Sequence, residues 1–438
     1  MTRAAIGHVL TGAPDDFDPV LRLVGNARFV LLGEATHGTH EFYRIRAEIT
    51  KRLIREQGFT SVAVEADWPD AYRVNRYVLG RSMDDDAEEA LSGFRRFPQW
   101  MWRNADVLDF IGWLRAHNDA VAPERQAGFY GLDLYALHSS IEAVLAYLRI
   151  VDPDAARRAQ ARYACFDHFG ADPQAYGYAT SLGLGPSCEA AVVAELTDLR
   201  RAAAEYAQRD GRTEPDDYFY AEQNARLVRN AERYYRAMFG DRVESWNLRD
   251  RHMAETLDAL LRFRQDRRGR SEKVVVWAHN SHVGDARATE MGMRAELNLG
   301  QLVRTRHGLD AVAIGFLTYG GTVTAAADWD EPAQRMQIKP ALPGSYEALF
   351  REWGKENRFV NLTSADPLIR RLAEPYLERA IGVIYRPETE RHSHYFHARL
   401  PQQFDGVLYY DTTRAVEPLE RTGLWERGEV PETFPSTL

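Results

Sequence analysis

Short apolar runs rich in β-branched residues alternate along this chain with helical patterns, and that alternation limits the fold more than any other feature. Arg28–Gly33 (RFVLLG), Thr60–Asp67 (TSVAVEAD), Ala127–Asp133 (AGFYGLD) and Lys273–His279 (KVVVWAH) read as the first four strands. Helical patterns lie between them over roughly His40–Gln57, Pro69–Leu79, Ala105–His117 and His138–Arg149. Glu189–Arg268 reads as mostly helical, with a break near Asp210–Asp217. Later strands fall at Ala311–Leu317, with a partner near Thr322–Ala326, and at Phe359–Leu362, Ala380–Tyr385 and Gly406–Tyr410. The expectation is an α/β fold in which a mostly parallel central sheet is flanked by helices and carries a large helical insertion. Residues 1–438 read as one domain, with 150–270 as the insertion inside it.

Composition removes several classes of function. Hydrophobic residues make up 45% of 438, enough to bury a large core, so a disordered or fibrous chain is excluded. The net charge of −9 sets the whole molecule against nucleic acid and anionic lipid. No run of about 18 apolar residues occurs, and the start lacks an apolar core behind a basic head. No membrane span or signal peptide is expected, and a cytoplasmic location follows. The two cysteines, Cys165 and Cys188, form no CxxC, so neither a framework of bridges nor a thiolate zinc site is expected. A GxSxG serine elbow and a GxxxxGK[ST] phosphate loop are both absent, and Gly183-Leu184-Gly185 lacks the third glycine of a dinucleotide fingerprint.

In open α/β sheets ligands bind beyond the carboxyl ends of the strands. Glu34, Glu65, Asp133 and His279 each sit at or just past such an end. Any one of them could simply cap the next helix. If the strands are parallel neighbours, however, four ionisable groups share one edge. In Gly33-Glu34-Ala35-Thr36-His37-Gly38 a strand leads into a carboxylate and then an imidazole flanked by glycine. A carboxylate beside an imidazole fixes its tautomer and raises its basicity, which suits proton removal from water. His40-Glu41 begins like a metalloprotease HExxH, but Arg44 stands where the second histidine belongs, and that motif fails.

On the following helix Phe42, Ile45, Ile49 and Leu53 form an apolar stripe about 80° wide, and Arg46 lies at its edge. A guanidinium there must pair or face a polar cavity. It is either a structural ion pair or a clamp for a substrate oxygen or a site carboxylate. Val276-Trp277-Ala278-His279-Asn280-Ser281-His282 delivers two imidazoles three residues apart at the end of a strand. Arg249 and Asp250 flank the apolar stripe of the Trp246–Phe263 helix; a chain reversal would bring them beside His279, as site supports or as an internal salt bridge. Trp68, Trp100 and Trp102 are candidates for an apolar pocket wall or for core packing. Arg391–His397 is histidine-rich and reads as surface, a metal patch or a pocket edge.

Together these segments carry a resemblance. Gly33–Gly38, Glu41-Phe42, Arg46, the Val62–Glu65 strand, Trp277–His282, Ser393-His394-Tyr395 and Phe404-Asp405 look like the erythromycin esterase family. The resemblance covers nearly the whole chain. It implies a central sheet with a cleft over its edge, and a histidine after the GE turn that activates water for lactone hydrolysis without a required metal. Carried onto this chain, that histidine is His37, with Glu34, Glu65, Arg46, His279 and His282 at the other cleft positions.

The expected protein is therefore a carboxylic ester hydrolase acting on a small-molecule ester or lactone, macrolide lactones among them, with the antibiotic-resistance role the family name carries. Trp68, Asp133, Arg249 and Asp250 are expected to contact substrate, and no cofactor is expected. A divalent-metal hydrolase, with Glu34, His37, Glu65 and His279 as ligands, is one alternative. A binding or biosynthetic-accessory protein without turnover is the other. The oligomeric state stays open.

Overall fold

A computed structural model describes residues 6–169, 172–203, 205–206 and 215–427. The strands are β1 (His8–Val9), β2 (Phe29–Leu32), β3 (Ser61–Asp67), β4 (Gly128–Asp133), β5 (Val274–Trp277), β6 (Ala311–Ala325), β7 (Gln334–Ile338), β8 (Arg358–Asn361), β9 (Tyr376–Arg379), β10 (Tyr395–Ala398) and β11 (Gly406–Thr413). Nine of them form one sheet in the order β1-β8-β11-β6-β2-β5-β3-β4, with β7 attached to β6. From β11 through β6, β2, β5 and β3 to β4 every neighbouring pair is parallel. The mostly parallel sheet read from the sequence is the sheet observed, and β2, β5, β3 and β4 stand side by side with their carboxyl ends together.

Residues alternate across these strands into two cores, as a strand's two-residue period requires. Val30, Leu32, Val62, Val64, Phe129, Val275 and Trp277 face one side. There they meet α1 (His40–Gln57) and α3 (Ala105–Asp119) through Phe42, Ile49, Leu53, Phe110 and Leu114. Phe29, Leu31, Ala63, Tyr130, Leu132, Val274 and Val276 face the other side. That face is covered by α4 (Leu137–Val151), α8 (Pro215–Ala237) and α9 (Arg242–Arg268), while α2 (Trp68–Val78) packs against β4 at the sheet's edge. Around α8 pack α6 (Pro173–Ser181) and α7 (Glu189–Arg201), and α5 (Pro153–Tyr163) packs on α4. Among the described residues no helix is long and apolar enough to cross a membrane.

Three expectations need correction. Ala311–Leu317 and Thr322–Ala326 are not two paired strands but one, β6, whose antiparallel partner is β7. Gly320-Gly321 marks close approach rather than a turn: at Gly321, where φ is +127°, a Cβ would lie 1.9 Å from the Thr413 carbonyl oxygen of β11. Ala380–Tyr385 is irregular, because Ile381 N–H donates to Ala35 O in the Glu34–His37 loop instead of to a ladder, and the strand lies just before it as β9. Cys165 and Cys188 are bonded to one another, tying a short turn to the start of α7. Such bridges are commoner in oxidising compartments than in the cytosol. The break near Asp210–Asp217 falls on residues 210–214, outside the described residues, and α8 begins at Pro215.

The loop after β2 is held by its glycine. A Cβ at Gly38 would stand 1.7 Å from the Thr324 carbonyl oxygen, and Gly38 O accepts N–H groups from both Thr324 and Val416. Gly38→Ala is expected to lower the unfolding free energy by about 1–3 kcal/mol, the usual cost of overpacking. Gly382→Ala, where an added Cβ meets nothing within 4 Å, should stay within about 0.5 kcal/mol of wild type. Denaturant unfolding of both variants checks the contrast.

Candidate active site

Because β2, β5, β3 and β4 are parallel neighbours, the groups beyond their carboxyl ends converge. Glu34 and His37 come from the loop after β2, His279 and His282 from the segment after β5, Glu65 from β3 and Asp133 from β4. The pairing of β3 with β4 slips between Val64 and Asp67. Glu65 lies within this slip and turns into the cleft.

His37 Nδ1 lies 2.9 Å from Glu34 Oε1, and Arg46 Nη2 donates to Glu34 Oε2 at 2.5 Å. Arg46 is fully buried, with its guanidinium over the rings of Tyr43 and Trp277. It is the carboxylate clamp among the two roles open to it and does not reach the cavity, so it orients Glu34 rather than touching an ester. The opposite ring nitrogen, His37 Nε2, faces Glu65 Oε1 at 4.0 Å. Tyr43 OH donates to His37 O at 2.8 Å and fixes the loop from below.

Glu65 is the junction. Its Oε2 accepts the His279 backbone N–H at 2.8 Å, and its Oε1 accepts Arg249 Nη2 at 2.7 Å with His282 Nε2 3.4 Å away. Burial alone would raise its pKa, but His282, Arg249 and His37 together hold it well below the usual carboxylate range. Arg249 also grips Asp133 with two bonds, 2.9 and 2.6 Å, and its guanidinium lies 4.9 Å from the centre of the Tyr135 ring.

The two later imidazoles sit in opposite environments. His279 Nδ1 accepts the Ser281 N–H at 3.2 Å and lies 2.8 Å from Ser281 Oγ, while its Nε2 is buried on the side of the Ala35 backbone. Burial first, then the neighbouring His37 and His282, lowers its pKa to about 3, so it is a neutral ring with the proton on Nε2. His282 stacks on Trp246 at 4.6 Å, and its Nδ1 lies 3.0 Å from both oxygens of Asp250. Its Nε2 sits between Arg249 Nη1 at 3.0 Å and Glu65 Oε1. Burial works against charge there, but Asp250 and Glu65 outweigh it and raise the pKa to about 9. Asp250 also accepts Leu299 N–H at 2.7 Å, so the pair's proton rests on the imidazole.

These groups floor a cavity of about 570 Å³. His37, Glu65, Asp133, Arg249, His279 and His282 line it as read from the sequence. Glu34 and Arg46 stand behind His37. Two expected substrate contacts fail. Asp250 is fully buried behind His282, because successive residues on α9 point about 100° apart and Arg249 takes the cavity side. Trp68 is buried among Tyr72, Tyr130 and Phe219, in the core on the far side of the bulge. Of the other tryptophans, Trp102 does form cavity wall.

His392, Ser393 and His394 form a pocket edge, while His397 turns away to Glu290. Sequence reading missed Tyr135, Ser281 and the Asp67–Arg96 pair, whose 2.8 Å bond borders the cavity. Tyr135 stands two residues beyond Asp133, and Ser281 lies between the paired histidines. Position beside a strand end was the available signal for both.

The candidate metal set does not fit. Both oxygens of Glu34 are taken by His37 and Arg46, and both of Glu65 by Arg249 and the His279 N–H. Among the described residues no group of three His, Cys, Asp or Glu side chains is arranged to hold a metal.

The sequence pattern of the erythromycin esterase family matches residues 54–413. The chain is 24% identical over 431 residues to the type II erythromycin esterase of Escherichia coli, covering 92% of this chain and 94% of the relative. Its fold is that of a succinoglycan biosynthesis protein, with TM-score 0.73, 20% identity and 95% and 96% of the two chains covered. It also matches an erythromycin esterase mutant, EreC, in its open conformation, with TM-score 0.66, 17% identity and 91% and 93% covered. With the family pattern spanning most of its length, the chain belongs to the erythromycin esterase family and is a hydrolase.

Proposed function

We propose that this protein hydrolyses a carboxylic ester or lactone in a bulky, partly apolar substrate, with His37 as the general base. The observation that carries the reading is the Glu34–His37 pair, whose imidazole shares one cavity with His282 and Arg249. Glu34 accepts the Nδ1–H of His37, which leaves Nε2 to take a proton, and the ring centre of His279 stands 4.9 Å from that of His37. A water between them and the substrate loses a proton to His37 Nε2 as its oxygen attacks the carbonyl carbon. Glu34 and Glu65 stabilise the imidazolium that forms. Arg249 and the protonated His282, which line the same cavity, stabilise the carbonyl oxygen as it gains charge. When the carbon–oxygen bond to the leaving alcohol breaks, His37 returns the proton to that alcohol, and the acid is left as product.

Phe94, Phe97, Trp102, Trp329 and Phe396 give the cavity a largely aromatic wall, which suits a large ring or acyl chain. The name of the Escherichia coli relative makes macrolide lactones the first substrates to try. A cytoplasmic site of action belongs to this proposal only if the Cys165–Cys188 bridge is reduced there.

On a panel of macrolides, simpler lactones and linear esters, wild type is expected to release the acid product. His37→Ala should lower turnover at least about a hundredfold. Product formation by His37→Ala at a near-wild-type rate would reject the role of the base. Binding across the panel with no product would favour the accessory-protein reading instead.

The proton inventory generates a second expectation. The folded pKa of His282, about 9, lies above the ordinary 6.5. Its contribution to stability is therefore fully present below about pH 6.5 and fades as pH rises through about 9. Melting curves across that window should show wild type losing more stability than His282→Gln; parallel curves would mean that no proton is held there.

A further inference from the structure

A second cavity lies at the other end of the same strands. Its volume is about 490 Å³, and Arg81, Arg264, Arg267, Arg268 and Arg270 line it. Arg264 marks its place in the fold, donating to Thr60 O, just before β3, at 2.9 Å and to Tyr130 OH in β4 at 3.0 Å. Arg268 donates to Gln126 O, just before β4, at 2.8 Å. These are amino ends, whereas Glu65 and Asp133 stand at the carboxyl ends, roughly 20 Å away along a six- or seven-residue strand.

The cations outnumber their partners. Asp216 is shared by Arg81 and Arg267, and Glu272, beneath the floor, is shared by Arg264 at 3.8 Å and Arg268 at 3.3 Å. Counting the Glu124 carboxylate on the rim, five guanidiniums meet three acids. The carboxyl end of α9 adds about half a negative charge, which leaves an excess of more than one positive charge. The buried Arg264 Nε and Arg268 Nη1 lack a well-directed hydrogen bond. Burial and the neighbouring Arg264 charge lower the Arg268 pKa to about 10.

The remaining wall is flat and aromatic. Phe219 and Phe263 stack with ring centres 4.0 Å apart and planes 1° from parallel, and Arg267 lies over Phe263. Guanidinium forks match phosphate oxygens bidentately, and the edges of the stacked phenylalanines can pack against the face of a planar ring. We propose that this cavity binds a nucleoside diphosphate, its phosphates among Arg267, Arg268 and Arg270 and its base against the phenylalanine wall. The site is independent of the ester chemistry at the opposite end of the sheet.

Calorimetric titration of the full chain with ADP, inorganic pyrophosphate and adenosine tests this. ADP should bind saturably and tighter than pyrophosphate, adenosine should not bind, and added salt should weaken ADP. Arg267→Ala should raise the ADP Kd about tenfold or more. Arg270→Glu should do the same; this exposed side chain reaches only the Glu124 carbonyl among the described residues, so the fold survives its change. Pyrophosphate binding as tightly as ADP would overturn the nucleoside part and leave an anion site. No saturable binding of either anion at millimolar concentration, or ADP binding unaltered in both variants, would overturn the whole.

Discussion

One buried carboxylate, that of Glu65, holds together elements that are far apart in the chain. An isolated ion in that position would cost several kcal/mol to desolvate. The cost is offset only because the His279 N–H, Arg249 and the neighbouring imidazoles all turn toward it. The end of β5, the second turn of α9 and the loop after β2 are thereby fixed relative to β3. Glu65 lies within the register slip of β3 and keeps the alternation of Ala63, opposite Val62, Val64 and Ala66. Geometry of this kind is set before any substrate arrives, which is what electrostatic stabilisation of a transition state requires.

A second layer repeats the logic. Arg46 and Glu34 form a buried ion pair whose net worth to stability is small against an apolar replacement, while removal of one partner alone is severe. Its use is directional. With one oxygen held by Arg46, Glu34 has the other for His37 Nδ1, and the imidazole is left in one tautomer with its lone pair toward the cavity. Asp250 does the reverse for His282: flanked by acids on both sides, that ring keeps its proton. Two histidines three residues apart thus hold different protonation states at one pH, because Asp250 and Glu65 outweigh burial at His282, whereas burial and the neighbouring His37 and His282 prevail at His279.

Much of this was legible before any coordinates. Ionisable residues closing otherwise apolar runs gave the cleft edge, and Arg46 at the margin of an apolar helix stripe announced a buried partner. What was hidden depended on direction rather than position. Whether Trp68 faces cleft or core turns on a bulge that leaves no mark in the residue pattern, and the choice between Arg249 and Asp250 as cavity wall turns on the rotation of α9. The strand at Tyr376–Arg379 lies just before the expected Ala380–Tyr385, because the latter bonds to the Glu34–His37 loop and β9 pairs with β10 rather than with the main sheet. The pairing of Cys165 with Cys188 is a tertiary event across 23 residues, and a count of cysteines cannot supply it.

Helix α9 joins the two ends of the sheet. At its start Arg249 is bonded to Glu65 and Asp133 beyond the carboxyl ends of β3 and β4. Fifteen residues on, about 22 Å along a helix, Arg264 is bonded to Thr60 O and Tyr130 OH near the amino ends of the same strands. Between these anchors Met253, Leu257 and Leu260 pack in the core. A helix fastened at both ends and buried between them cannot tilt or slide without breaking charged hydrogen bonds at one end or the other. The same helix thus sets the place of Arg249 in the cleft and of the arginine cluster behind it, while the chemistry at the two ends stays separate.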